Sequence, residues 1–193
     1  MIIGIDIDDV LAEFMQEYLK YHNGISNSKF TKDDIFHFDL KKSLTEPEEE
    51  ILRKILDFYE TDMFENLPAT QDAKEAIEKL NEKHELHAIT ARPESTRART
   101  ERWICKNFKN TFKTINFSND FELSSGKKKH IICKDLKTDI MIEDSPVYAD
   151  AIQKEGVKVL FMSQPWNKEH DNPELTRVHS WKEILDIISS LSG

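Results

Sequence analysis

The chain has no apolar run long enough to cross a bilayer, which takes about 20 residues in a row. Its amino terminus also lacks the basic segment and apolar stretch of a secretory leader, and heads straight into an acidic motif. These two absences predict a cytoplasmic protein with no membrane partner. Basic residues are outnumbered, 27 Lys and Arg against 36 Asp and Glu, giving a net charge of −9. Polymeric nucleic acid is bound by neutralising many phosphates, so this balance argues against it as the main partner. A small phosphate ester stays open, because it needs only a few local cations. Cysteine is scarce. Cys105 and Cys133 lack metal-ligand spacing, and both read as reduced thiols buried among apolar helix neighbours. No repeat and no low-complexity tract interrupts the chain. Its 193 residues, 38% hydrophobic and 33% charged, suit one compact domain or one domain carrying a small insertion.

What is present is an alternation. Runs rich in Ile and Val recur near residues 1–7, 86–90, 113–117, 139–143 and 157–162, separated by amphipathic stretches at 69–83, 93–109, 127–137 and 146–155. Strand alternating with helix predicts an α/β fold with a parallel sheet covered on both faces. Ala73, Ala76, Ile77 and Leu80 share one face at helical spacing. A last helix over 180–192 starts with Ser180 as N-cap and Glu183 three residues on, the pattern of a capping box.

Residues 13–67 break the alternation with helical patterns alone. A helix over 13–21 leads to a turn at Asn23-Gly24, and Thr31-Lys32-Asp33-Asp34 reads as the next helix start. Thr45-Glu46-Pro47-Glu48 opens another, with Pro47 in the first turn where its missing N–H costs nothing. The apolar face of that helix is Ile51, Leu52, Ile55 and Phe58 or Tyr59. The chain is therefore expected to hold a core of residues 1–12 and 68–193 and a small helical cap of residues 13–67, inserted after the first strand. Such a cap would lie over the carboxyl ends of the strands, where open α/β sheets bind their ligands.

Four short segments carry the chemistry. Ile5-Asp6-Ile7-Asp8-Asp9 ends an apolar run in three carboxylates within four positions, which repel one another unless a cation joins them. His87-Ala88-Ile89-Thr90-Ala91-Arg92 ends a second run in a hydroxyl, Lys127-Lys128-Lys129 opens a helix, and Ile140-Met141-Ile142-Glu143-Asp144 ends a third run in an acidic pair. Taken singly, each reads as a strand-end turn, a helix cap or a solvated helix start. Together and in this order they resemble the four motifs of the haloacid dehalogenase-type phosphotransferases, whose core is a Rossmann-like parallel sheet.

That resemblance implies an aspartate nucleophile and Mg²⁺. Asp6 matches the nucleophile and Asp8 the general acid/base. Mg²⁺ would be held by Asp6, the backbone carbonyl of Asp8 and Asp144, with Glu143 beside them directly or through water. Thr90 would hydrogen-bond the phosphoryl group and Lys129 would neutralise charge, with Lys128 in reserve among the three adjacent lysines. A closer resemblance runs end to end, to the 5'(3')-deoxyribonucleotidases of the cytosolic type C group. It is carried by residues 6–14, by Met63-Phe64-Glu65-Asn66-Leu67-Pro68 with the helix after it, and by His179-Ser180-Trp181. It implies that Phe14 stacks on a nucleobase and that Phe64 lines the pocket, with Phe36 and Phe38 as cap aromatics.

The chain also departs from that family. Asp9 stands where a glycine is common and reads as a cap of the first helix. Ala91 stands where the family carries a second hydroxyl, and Arg92 is left as either a phosphate fork or an ion-pair partner of cap carboxylates. His84 and His87 lack a third ligand and read as structural. Arg97, Arg99 and Arg102 form a basic strip expected to pair with surface acids, and Trp166 either borders the cleft or packs on the core. The expected function is a Mg²⁺-dependent nucleoside monophosphate phosphatase working through an aspartyl-phosphate. Its alternatives are a phosphatase of another small phosphometabolite, such as a sugar phosphate, or a non-catalytic nucleotide binder. A small cap leaves the cleft edge free for a homodimer partner.

Overall fold

The computed structural model describes residues 1–118 and 128–191. Six parallel strands form one sheet in the order β3-β2-β1-β4-β5-β6: β1 (Ile2–Ile5), β2 (Glu85–Thr90), β3 (Thr114–Phe117), β4 (Ile140–Glu143), β5 (Lys158–Met162) and β6 (Thr176–Val178). The last of these is too short to stand out as an apolar run. It is held by pairing with β5 and by burial of Val178. The central strand β1 takes β2 on one side and β4 on the other, with Ile5 level with Ala88 and with Ile142. Its Gly4 is required by close packing, since a Cβ there would meet Met141 Sδ at 2.8 Å and Ile89 Cδ1 at 2.9 Å.

Successive strand residues point to opposite faces, so the buried strands feed two cores. Ile89, Met141, Val159 and Phe161 pack under α7 (Lys129–Leu136) and α8 (Pro146–Gln153). Ala88, Ile140, Ile142 and Leu160 pack into a larger core with α5 (Ala73–Asn81), α6 (Arg97–Asn107) and α9 (Trp181–Leu191). The α9 start is capped as the sequence predicts at one end: Ser180 Oγ accepts the Glu183 N–H at 3.3 Å. The Glu183 carboxylate reaches one residue further back, to the His179 N–H at 2.8 Å. Cys133 is buried, but Cys105 is exposed. On α6 the inward face is Thr100, Trp103 and Ile104, and one further step of about 100° turns Cys105 to solvent.

Between β1 and α5 the chain is helical: α1 (Phe14–Ser26), α2 (Lys41–Leu44), α3 (Glu48–Tyr59) and α4 (Asp62–Glu65). No turn occurs at Asn23-Gly24. The helix runs through them and ends at Asn27, which takes the left-handed conformation at φ 50°. Asn23 instead fastens the loop that follows, bonding the Phe30 N–H at 2.9 Å and its carbonyl at 2.8 Å. Thr31 starts only a 3-10 turn, Lys32–Asp34, with the Asp34 carboxylate accepting the Thr31 N–H. Pro47 sits one place before α3, and of the expected apolar face only Leu52 is exposed. Among the described residues no helix is long and apolar enough to cross a membrane.

Candidate active site

The sheet register assembles the site. With Ile5 level with Ile142, Asp6 just past β1 comes beside Glu143 and Asp144 at the end of β4, and the Asp6 N–H bonds the Ile142 carbonyl at 3.0 Å. Carboxylate oxygens of Asp6, Glu143 and Asp144 lie within 4.8 Å of one another, all buried. Lys129, the first residue of α7, brings an ammonium to them. Its Nζ lies 2.7 Å from Asp6 Oδ1 and 2.8 Å from Glu143 Oε2, and 4.6 Å from the centre of the Tyr148 ring. Lys128 is exposed, and Lys127 lies outside the described residues.

The three acids play different parts. Glu143 is saturated, its Oε1 accepting the N–H groups of Asp144 and Ser145 at 3.1 and 3.0 Å while Oε2 faces Lys129. Asp144 Oδ2 accepts from Trp166 Nε1 at 2.9 Å, and its carbonyl accepts from Asn167 Nδ2. Asp6 and Asp144 thus each keep one oxygen without a protein donor among the described residues. Burial, with Glu143 alongside, pushes the Asp6 carboxyl up to about 8 against the pull of Lys129. Burial likewise raises Asp144 well above the carboxylate range. Burial alone would lower Lys129, but Asp6 and Glu143 hold it above its ordinary value. One ammonium cannot balance three sealed carboxylates. The free oxygens form a hard donor set that fits a divalent cation of the Mg²⁺ type.

The tight loop after β1 carries the other acids. Asp9 sits at φ 57°, the region glycine would favour, and its carboxylate accepts the Met15 N–H at 3.1 Å, capping α1. Burial pushes Asp9 up to about 7, opposed by Lys32, whose Nζ stands 3.1 Å away. Asp8 is half-buried and receives Arg92, whose Nη2 lies 2.6 Å from Oδ1. Among the described residues Arg92 thus pairs with an acid of the β1 loop and not with one of the helical insert. Thr90 is buried at the end of β2, its Oγ1 accepting the Arg92 N–H at 3.1 Å.

Above these groups opens a cavity of about 290 Å³. Asp6, Asp8, Lys129 and Asp144 form its floor; Phe14, Met15, Ile51, Ile55 and Tyr59 of the helical insert form its wall, and Ala91, Ser145, Tyr148 and Trp166 complete the core side. Phe14 lies parallel to Tyr18 and edge-on to Phe58, while Phe38 meets Tyr148 edge-on at the rim. Four residues expected to face the substrate, Thr90, Arg92, Phe36 and Phe64, stand outside this lining. Phe64 is buried one layer behind, under Tyr59 and the Arg92 guanidinium, and Phe36 is 61% exposed outside the lining. Trp166 does both things weighed for it, being buried and bordering the cleft.

The sequence reading passed over Tyr148 and Ser145, although both follow Asp144 within one helical turn. Ser145 Oγ is buried without a hydrogen-bond partner among the described residues. His87 is structural, bonded to Thr114 and Glu85. The basic strip pairs as expected, with Arg97 on Glu94 and Glu101, Arg99 on Glu60 and Glu65, and Arg102 on Glu65.

Comparison with known proteins agrees with this geometry. The family described as 5' nucleotidase, deoxy (pyrimidine), cytosolic type C protein matches residues 1–192. The chain is similar to a 5'(3')-deoxyribonucleotidase of Bacillus subtilis (strain 168), at 30% identity over 95% of both chains. A 5'(3')-deoxyribonucleotidase of Clostridium acetobutylicum is 26% identical over 98% of this chain and 95% of its own. Among solved structures, a haloacid dehalogenase-like hydrolase from Streptococcus pneumoniae shares the fold, with a TM-score of 0.69 over 97% of each chain at 14% identity. The chain belongs to the cytosolic type C 5'-nucleotidase family, and is a phosphoric monoester hydrolase.

Proposed function

We propose that the chain hydrolyses nucleoside monophosphates, deoxyribonucleotides foremost, through an aspartyl-phosphate and with Mg²⁺. The observation that carries this is Asp6, paired with Lys129 at 2.7 Å on the floor of a cleft walled by aromatic and aliphatic side chains. An anionic nucleophile approaches a phosphate dianion only once charge is neutralised, and Lys129 supplies that at the nucleophile itself. Mg²⁺, held by Asp6, Asp144 and the Asp8 carbonyl, would neutralise phosphoryl oxygens and keep the displacement in line.

An oxygen of Asp6 attacks phosphorus as the bond to the ester oxygen breaks, and the Asp8 carboxyl gives its proton to the departing alkoxide. In the second step Asp8 takes a proton from water, whose oxygen displaces Asp6 from phosphorus. Thr90, sealed at the end of β2 and outside the cavity lining, holds the Arg92 N–H through its Oγ1 and would reach a phosphoryl oxygen only if the floor opens toward it. The helical insert acts as a cap that selects the leaving group, with Phe14 offered to the base and Phe38 at the rim.

Inorganic phosphate release across deoxy- and ribonucleoside monophosphates and sugar phosphates, with Mg²⁺ or EDTA, tests this reading. Asp6→Asn is expected to lose at least about 10³-fold in kcat. Turnover confined to sugar phosphates would overturn the substrate assignment and leave the nucleophile in place. Undiminished turnover by Asp6→Asn would overturn the mechanism.

A further inference from the structure

Arg92 is a guanidinium sealed inside the protein, its side chain wholly out of solvent contact. It stands outside the cavity lining, so it cannot serve as a fork for the substrate's phosphate without leaving its seat. Its seat is built on every side. One face lies 4.6 Å from the Phe64 ring centre and 5.9 Å from that of Trp103, which is itself anchored by Nε1 donating to the Leu67 carbonyl at 2.7 Å. Nη1 donates to Thr100 Oγ1 at 3.1 Å. The remaining donors go to Asp8, and unequally. Asp8 Oδ1 receives Nη2 at 2.6 Å and Nε at 3.1 Å, whereas Oδ2 has only a share of Nε at 3.0 Å.

A guanidinium so placed does two things to a carboxyl. Its planar fork fixes the plane of the group, and its unequal bonding makes one oxygen a fixed anchor and the other the site of proton exchange. Asp8 needs such help, since it sits half-exposed on a loop and has no other side-chain partner among the described residues. We propose that Arg92 is the positioning residue for proton transfer by Asp8: it ties Oδ1 and leaves Oδ2 to give the proton to the leaving oxygen. This rests on Asp8 being the acid of the reaction proposed above. In the first step the Oδ2–H bond breaks, the proton passes to the ester oxygen as its bond to phosphorus breaks, and the new carboxylate stays paired with Arg92. In the second step Oδ2 recovers a proton from the attacking water. Phe64, absent from the pocket wall, acquires a reason in the same arrangement, because its ring forms the floor under the guanidinium.

The test compares two leaving groups. A nucleoside alkoxide departs only with a proton, whereas p-nitrophenolate departs without one. The constant kcat/KM reports steps up to transfer of the phosphoryl group to Asp6, so it isolates the step in which the proton is given. Arg92→Lys keeps the charge and loses the fork. It is expected to lower kcat/KM for deoxyribonucleoside monophosphates about 10–100-fold while changing that for p-nitrophenyl phosphate by less than about threefold. Thr100→Val, which leaves Arg92 in place and frees Nη1, should show the same selectivity at about 2–5-fold, and it carries the test if Arg92→Lys does not fold.

Asp8→Asn calibrates the pair and should be the most selective of the three. If Asp8→Asn slows both substrates equally, the acid assignment fails and this inference falls with it. If Asp8→Asn is selective but the Arg92 and Thr100 variants slow both substrates alike, or neither, the positioning role is overturned while the acid assignment stands.

Discussion

The floor and the wall of the cleft are built differently. The floor is made at strand ends and a helix start, where Asp6, Asp144 and Lys129, with Glu143 bonded beside them, are nearly sealed from water and bonded at 2.7–3.1 Å. The wall comes from the helical insert and is made of Phe14, Met15, Ile51, Ile55 and Tyr59, which contribute area and shape. Buried charge has few workable geometries, because every group must find a partner in a place of low dielectric. Apolar packing has many, provided volume is kept. Under the proposed mechanism the floor sets the reaction, and the wall is the part free to be altered for another leaving group.

The comparison breaks most visibly if Lys129 is removed. Lys129→Ala strands Asp6 and Glu143 without their ammonium. A stability cost of about 3–5 kcal/mol is expected in urea titrations, with turnover down at least about 10²-fold in phosphate-release assays. A variant that stays stable and active would mean the floor is not held by charge.

Metal and pH sharpen the same point. The Asp6 carboxyl, ordinarily near 3.8, is held up to about 8 in the metal-free fold. Between those values the folded chain keeps a proton that the unfolded chain has released, so metal-free stability declines as pH rises and levels off above about 8. A divalent cation must displace that proton at low pH and meets a ready carboxylate at high pH. The Tm gained on adding Mg²⁺ is expected to be larger at pH 8.5 than at pH 6; an equal gain at both would remove Asp6 from the ligand set.

On the wall, Phe14→Leu keeps most of the buried volume and loses the flat ring. A drop of about tenfold in kcat/KM is expected for nucleoside monophosphates and none for sugar phosphates, since stacking on a base contributes about 1–3 kcal/mol. Equal loss on both classes would make Phe14 a packing residue only. The smallest effect belongs outside both regions. Cys105→Ser, on the exposed face of α6, should shift the denaturation midpoint by less than about 0.5 kcal/mol equivalent.

Much of the floor could be read from the chain because it follows from local rules. Apolar runs ending in Asp6, Thr90 and Asp144 declare strand ends, and a parallel sheet gathers those ends on one edge. Lys129 required only that α7 begin where it does. The parts that stayed hidden depend on pairings distant in sequence. Arg92 meets Asp8 across 84 positions, and Trp166 meets Asp144 across 22. Nothing in the spelling of either segment selects the partner. Phe64 was placed in the pocket by resemblance, yet a single layer of side chains separates it from the cavity. Asn23-Gly24 misled for a different reason: its turn propensity was overridden because α1 continues to a better left-handed cap at Asn27.

Trp166 has a use beyond its place at the core side of the cleft. Of the three tryptophans in the chain, it alone joins its N–H to Asp144, and Lys32 of the helical insert stands 5.4 Å from its ring centre. Trp103 and Trp181 point their N–H groups elsewhere, at the Leu67 carbonyl and the Thr70 hydroxyl. Indole emission responds to nearby charge, so the protein carries its own optical probe with one end at the acidic cluster and the other at the insert. Titration with a divalent cation can thus be followed in a cuvette, without a label and without turnover.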